Sequence, residues 1–167
     1  MNKLKTLAQL KIIVAAARRK GESVVLSNGC FDLIHVGHIR YLRDSRRKGD
    51  LLIVALNSDS SVRRLKGRGR PILGQKDRAE ILASFSFVDF ITVFREPNVN
   101  RIIHAIKPDV HVKGSDYTPS TVPERNAVLN VGGRVAIAGG PKVRTTRDVI
   151  RYIAGLPGGR AGKEARP

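Results

Sequence analysis

Ser23-Val-Val-Leu-Ser-Asn-Gly-Cys-Phe-Asp-Leu-Ile-His-Val-Gly-His38 is the stretch on which the fold is decided. Its first part, Ser23 to Asn28, is a short apolar run rich in β-branched residues and closed by Gly29, the pattern of a buried strand. Its last part carries two histidines three apart with Gly37 between them, where a helical pattern begins. Strand, glycine turn and helix start therefore follow one another within sixteen residues. The same alternation continues downstream. Strands are predicted at 51–56, 88–94, 109–113 and 134–138, and helices at 37–48, 75–84, 98–106, 123–130 and 146–154. Upstream, Leu7, Leu10, Val14 and Ala17 recur at helical spacing, which predicts an amphipathic helix over 4–20, ended by Gly21 and packed on the outside of the domain. Five short apolar strands separated by helices make an α/β fold, a single domain with a doubly wound five-stranded parallel sheet of Rossmann-like type.

The composition bounds the function. A chain of 167 residues fits one core, and 41% hydrophobic residues with only 5% aromatic predict a core of Val, Ile, Leu and Ala. Global disorder is thereby excluded. No apolar run approaches the ~20 residues of a membrane span, and Lys3, Lys5 and Lys11 interrupt any secretory leader, so a cytoplasmic protein without membrane association is expected. A single cysteine, Cys30, forms no internal disulfide and, with four His, no zinc finger. The reading divides the chain into an N-terminal helix (1–22), the sheet domain (23–154) and a tail (155–167) too rich in Gly and Pro to hold fixed structure.

A net charge of +17 favours anionic partners. Six positive and no negative residues fall in 1–20, and ten positive against three negative in 40–70. Solvated helix faces explain such runs as readily as a ligand does. A nucleic-acid module is the competing class. Basic and aromatic residues do not interleave, and three Tyr with five Phe supply few stacking platforms, so no specific nucleic-acid partner is expected. Salt-dependent, non-specific affinity for RNA stays compatible with the charge.

Ligands of an open parallel sheet bind where strands end and strand order reverses. Three turns qualify: Asn28 to His38, Asn57-Ser-Asp59, and Lys113-Gly-Ser-Asp-Tyr117. His35 and His38 sit beside a helix N-terminus, whose unpaired N–H groups and partial positive charge suit phosphate. Alone, an H-x-x-H pair also fits a core histidine or two ligands of an incomplete metal site. Asp59 and Asp116 are each as readily helix caps, Gly114 an ordinary turn glycine, and Arg78 a surface arginine. His104 reads as helix surface, and His111 lies on a strand without a legible role.

Gly29-Cys-Phe-Asp-Leu-Ile-His-Val-Gly-His38 reproduces G-x-F-D-x-x-H-x-G-H, and on this stretch the chain resembles the cytidylyltransferase-like nucleotidyltransferases. Within them it is most similar to the adenylyltransferases of heptose 1-phosphate, through Ala55-Leu-Asn-Ser-Asp59, Arg64-Leu-Lys-Gly67 before Arg70-Pro71, and Lys113-Gly-Ser-Asp-Tyr117. The likeness runs from about Val24 to Ile153. Bifunctional relatives carry a sugar kinase domain first, whereas this chain resembles a stand-alone transferase.

The resemblance implies in-line transfer of AMP from ATP to a heptose 1-phosphate, with Mg²⁺ as cofactor and pyrophosphate as the leaving group. CTP with glycerol 3-phosphate or a phosphorylated amino alcohol, and ATP with FMN, are the alternatives. His35, His38 and Lys66 are the implied catalytic residues, Lys66 in a mobile basic loop closing on the phosphates. Asn28, Gly29, Cys30 and Phe31 line the nucleotide, with Arg78 at the phosphates and Gly114 and Asp116 at the nucleoside. Cys30 contributes backbone rather than a nucleophilic thiol. Thr145 and Thr146 close the phosphate site, although Arg144 stands where the family has serine. Asp32 and Asp59 are the implied substrate contacts, no protein-held metal is implied, and a homodimer follows by family analogy.

Overall fold

A computed structural model of the chain describes residues 3–140 together with Ile150, Tyr152, Ile153 and Gly155. The elements run α1 (Leu7–Arg19), β1 (Val24–Gly29), α2 (Val36–Arg46), β2 (Leu51–Asn57), α3 (Asp59–Lys66), α4 (Gln75–Ser84), β3 (Phe90–Phe94), α5 (Asn100–Ile106), β4 (Val110–Gly114), α6 (Arg125–Asn130) and β5 (Arg134–Ala138). The five strands pair in parallel in the order β3-β2-β1-β4-β5. The expected architecture is therefore present. Its order reverses between β1 and β4, so the switch point lies where Gly29 and Gly114 end adjacent strands.

Period-two alternation distributes the core over both faces of the sheet. Val25, Leu52, Val54 and Leu56 face α2 and α4, meeting Tyr41, Leu42, Ala79 and Leu82. Val24, Leu26, Ile53 and Ala55 face the other way, onto Leu10 and Val14 of α1, Ile102, Ile103 and Ile106 of α5, and Ala127 and Val128 of α6. Parallel strands covered on both faces read as continuous apolar runs, and β2, Leu51–Asn57, has that pattern.

The first helix starts at Thr6, whose hydroxyl accepts from Gln9 N while the Gln9 side chain accepts from Thr6 N, a reciprocal cap. Arg18 donates to the carbonyls of Ile106 and Lys107, tying α1 to the end of α5. Ahead of α1, Leu4 forms a parallel bridge with Ile91, with Lys5 N donating to Ile91 O (2.8 Å) and Ile91 N to Lys3 O (2.9 Å).

One expectation is corrected. The basic stretch before Gly67 is not a loop: Ser58 caps the N-terminus through Ser61 N, Asp59 occupies the first turn, and residues through Lys66 are helical. A favourable cap and an acidic first turn complement the helix dipole despite the cationic run behind them. Ile150, Tyr152 and Ile153 are helical, within the stretch predicted as the last helix. Arg144, Thr145, Thr146 and the tail beyond Gly155 lie outside the described residues.

The placement of α1 is testable. Leu10 is fully buried and Ile12 is 71% exposed. Leu10→Ala should cost about 2–5 kcal/mol and Ile12→Ala within about 0.5 kcal/mol by urea denaturation. Equal effects would place α1 off the core.

Candidate active site

At the carboxyl ends of the strands an open cleft of ≈ 1270 Å³ is lined by the turn after β1, by Lys66 and Arg70 beyond β2, and by the turn after β4. Its centre is the switch point. The first turn is shaped by a close approach. Phe31 adopts a left-handed backbone (φ 45°) and lays its ring against Gly29, where a Cβ would sit 3.0 Å from Phe31 Cε2. A side chain at position 29 would therefore require the Phe31 ring to give by a few tenths of an ångström. The Phe31 ring continues onto His38 (5.3 Å between centroids) and stacks on Tyr41 (6.5 Å).

His35 is the N-cap of α2: its Nδ1 accepts from Gly37 N (3.1 Å), and His38 Nδ1 accepts from His35 N (3.4 Å). A ring nitrogen that accepts a hydrogen bond carries no proton, so each neutral imidazole bears its proton on Nε2. The rings lie 4.0 Å apart and both line the cleft. Burial, and then the neighbouring His35, push the pKa of His38 down to about 4. Two imidazoles whose Nδ1 atoms are each engaged by a backbone N–H therefore line the cleft side by side.

The basic side of the cleft is organised by Asp32. Its buried carboxylate accepts from Ile72 N (2.7 Å) and Leu73 N (3.2 Å), and Arg70 Nε stands 2.7 Å from the other oxygen. Asp32, expected at substrate, spends these contacts holding the 70–73 segment to the first turn. Lys66, at the end of α3, is exposed and lines the cleft.

Arg78 differs most from its expected place at the phosphates. Its side chain is completely buried, with Nε donating to Leu73 O, Nη1 to Cys30 O and Nη2 to Asp59 (2.8 Å). A guanidinium has five N–H donors in a rigid fork, and here the fork joins three segments behind the cleft wall. Asp59, expected at sugar hydroxyls, is its ion-pair partner and not part of the lining.

Cys30 lines the cleft with Sγ 3.9 Å from Asn57 Oδ1. Burial raises its thiol pKa against the opposing pull of Lys66 and Arg78, so it is held as a thiol. Gly114 and Asp116 line the opposite wall with Tyr117. A Cβ at Gly114 would meet no protein atom within 4 Å, so the room beside it belongs to the cleft.

Sequence reasoning assigned no role to Lys113 or Glu124. Lys113 Nζ donates to Asn28 Oδ1 (2.9 Å) and Glu124 Oε1 (3.0 Å), and lies 5.6 Å from the centre of the Tyr117 ring. Buried His111 stands behind them, Nε2 3.8 Å from Glu124 Oε2. Burial works against the Glu124 carboxylate, but His111 and Lys113 outweigh it and hold its pKa down to about 2. Lys113 was visible as the residue closing a predicted strand. Glu124 carries no such signal, because it becomes Lys113's neighbour only through the fold.

The family model of cytidylyltransferase-like proteins matches residues 26–141. Bifunctional protein HldE of Syntrophotalea carbinolica is 45% identical over 91% of the chain, and that of Alkalilimnicola ehrlichii is 50% identical over 79%. The chain spans only 31% and 28% of their lengths. Among solved structures, a lipopolysaccharide core biosynthesis protein from Thermoplasma volcanium superposes with a TM-score of 0.60 at 28% identity, covering 70% of this chain and 94% of that one. A pantoate-beta-alanine ligase from Francisella tularensis, 14% identical with a TM-score of 0.59 over 87% of this chain and 69% of its own, shares the fold.

The buried guanidinium and the neutral imidazole can each be tested. Arg78→Met leaves buried acceptors unpaired and should cost at least about 2 kcal/mol, read as a fall in thermal midpoint. A variant that melts like the wild type while losing nucleotide affinity would return Arg78 to the phosphates. For His38, the folded pKa of about 4 lies below the ordinary 6.5, so its contribution to stability is complete above pH 6.5 and is lost as pH falls toward 4. The ¹H NMR titration of its ring should have a midpoint near pH 4, and a midpoint at 6.5 or above would refute the buried, neutral imidazole.

Proposed function

The chain belongs to the cytidylyltransferase-like family, and from that premise we propose that it transfers the adenylyl group of ATP to a heptose 1-phosphate, giving ADP-heptose and pyrophosphate. The observation that carries the reading is the G-x-F-D-x-x-H-x-G-H turn, folded so that two Nε2–H imidazoles line a cleft at the switch point.

A sugar-phosphate oxygen forms a bond to the α-phosphorus while the bond from that phosphorus to the bridging oxygen of the β-phosphate breaks. The attacking oxygen is already anionic, so no general base is needed. Charge grows on the α-phosphoryl oxygens and on the departing pyrophosphate, and catalysis consists of placing donors and cations there. His35 and His38 act as neutral donors to those oxygens. Lys66, exposed at the end of α3, supplies positive charge to the leaving group, with the backbone of Gly29 to Phe31 along the triphosphate and Gly114 and Asp116 beside the nucleoside. Thr145 and Thr146 complete the phosphate contacts in this scheme. Mg²⁺ enters in this scheme as part of the Mg–ATP substrate, while Asp32 is engaged with Arg70 and backbone. A homodimer in the cytoplasm completes the proposal. No helix of the described residues is long and apolar enough to cross a membrane.

The test is pyrophosphate release from a grid of four nucleoside triphosphates against heptose 1-phosphate, glycerol 3-phosphate, phosphocholine and FMN. ATP with heptose 1-phosphate should turn over fastest, and faster turnover with CTP and glycerol 3-phosphate would overturn the assignment. Because the donors act on charge that develops during transfer, His35→Ala and His38→Ala should each lower kcat on the order of 100- to 1,000-fold, with a smaller change in KM for ATP. Near-normal kcat in a folded variant would show that histidine to be a helix cap only.

A further inference from the structure

Asn28, the last residue before the Gly29 turn, meets a part-buried lysine, Lys113, that is itself paired with the buried Glu124. An ammonium group has donors and no acceptor. The atom of Asn28 that faces Lys113 Nζ at 2.9 Å is therefore its carbonyl oxygen, whatever else surrounds the amide. Its two N–H donors then occupy the other branch of the planar amide, and Asn28 is one of the residues that line the cleft. Lys113 is itself held. Only 12% of its side chain is exposed, Glu124 Oε1 accepts from it at 3.0 Å, and Glu124 is 6% exposed with His111 beside it. The pair spans the switch point, because Asn28 and Lys113 are the penultimate residues of the adjacent strands β1 and β4.

We propose that Asn28 donates a side-chain hydrogen bond to an oxygen of the bound nucleoside triphosphate, and that Lys113, anchored by Glu124, is the positioning residue that keeps the amide in the donating orientation. The inference rests on the nucleotide-binding reading given above and adds to it a side-chain contact and the pair that enforces it. A buried ion pair in the wall of a ligand cleft is a costly feature for a core to retain without a directional task. Fixing an amide that would otherwise flip freely is such a task, since flipping exchanges a donor for an acceptor at the same place.

Asn28→Asp separates this role from a merely structural one. It keeps the shape and offers Lys113 an even better acceptor, yet turns an oxygen toward the nucleotide. Binding of Mg²⁺ and α,β-methylene-ATP, measured by titration calorimetry without any sugar phosphate, should weaken by roughly 10- to 100-fold with the thermal midpoint maintained, the effect of a lost hydrogen bond to a charged group. Should Asn28→Asp disturb folding, Asn28→Ala removes the donors while Glu124 still holds Lys113, and the same weakening is expected. Lys113→Met should weaken binding in the wild type and add little in the Asn28→Ala background. Unchanged affinity in a folded Asn28 variant overturns the proposal and leaves the nucleotide reading standing. An equal effect of Lys113→Met in both backgrounds overturns the positioning role. A wild type that binds no nucleotide overturns both readings together.

Discussion

A completely buried guanidinium, that of Arg78, is the interaction on which the shape of the cleft depends. It reaches the first turn at Cys30 O, the 70–73 segment at Leu73 O, and the start of α3 at Asp59. These three pieces of chain are separated in sequence, and nothing else described bonds all three at once. An arginine suits the task because its charge persists at any ordinary pH and its donors diverge in one plane. Asp32 repeats the connection from the opposite direction, holding Ile72, Leu73 and Arg70. The basic side of the cleft is thus anchored by charges that lie behind or beneath the surface, while Lys66 is left exposed.

The same economy governs the histidines. Each Nδ1 serves helix α2 as a cap, and that structural duty fixes which nitrogen keeps its proton. Stability and chemistry use opposite edges of one ring. Burial then keeps His38 neutral over the pH range in which a free imidazole would titrate.

Sheet and strand count were legible because parallel strands are apolar on both faces and cannot be mistaken for amphipathic ones: Leu51 to Leu56 announces β2 without ambiguity. The turn at Gly29 to His38 was legible because its residues act locally, within ten positions of one another. What was not legible acts at a distance. Arg78 looks like any helix arginine until α4 packs against the first turn 48 residues earlier, and Glu124 has no signal in its neighbours. The helix Asp59–Lys66 was only partly legible: Asp59 could be read as a cap, but the cap is Ser58, and a run of like charges that local propensity disfavours follows it. Long-range hydrogen bonds to buried charges are thus the part of the site that periodicity does not report.

The backbone bridge between Leu4 and Ile91 bears on solubility. β3 ends the sheet, and its outer row of N–H and C=O groups would otherwise be a template for a strand of another molecule. Residues 3–5 satisfy part of that row before α1 begins, and the two residues flanking the bridge are lysines. Like charges brought together at a sheet edge repel, and a single bridged residue is too short to pass the ladder on. The lysines that first appear as part of an unexplained basic excess therefore flank the covered edge of the sheet, where Lys3 also donates to the carbonyl of Phe85 (2.7 Å) and so ties the segment down on its own chain.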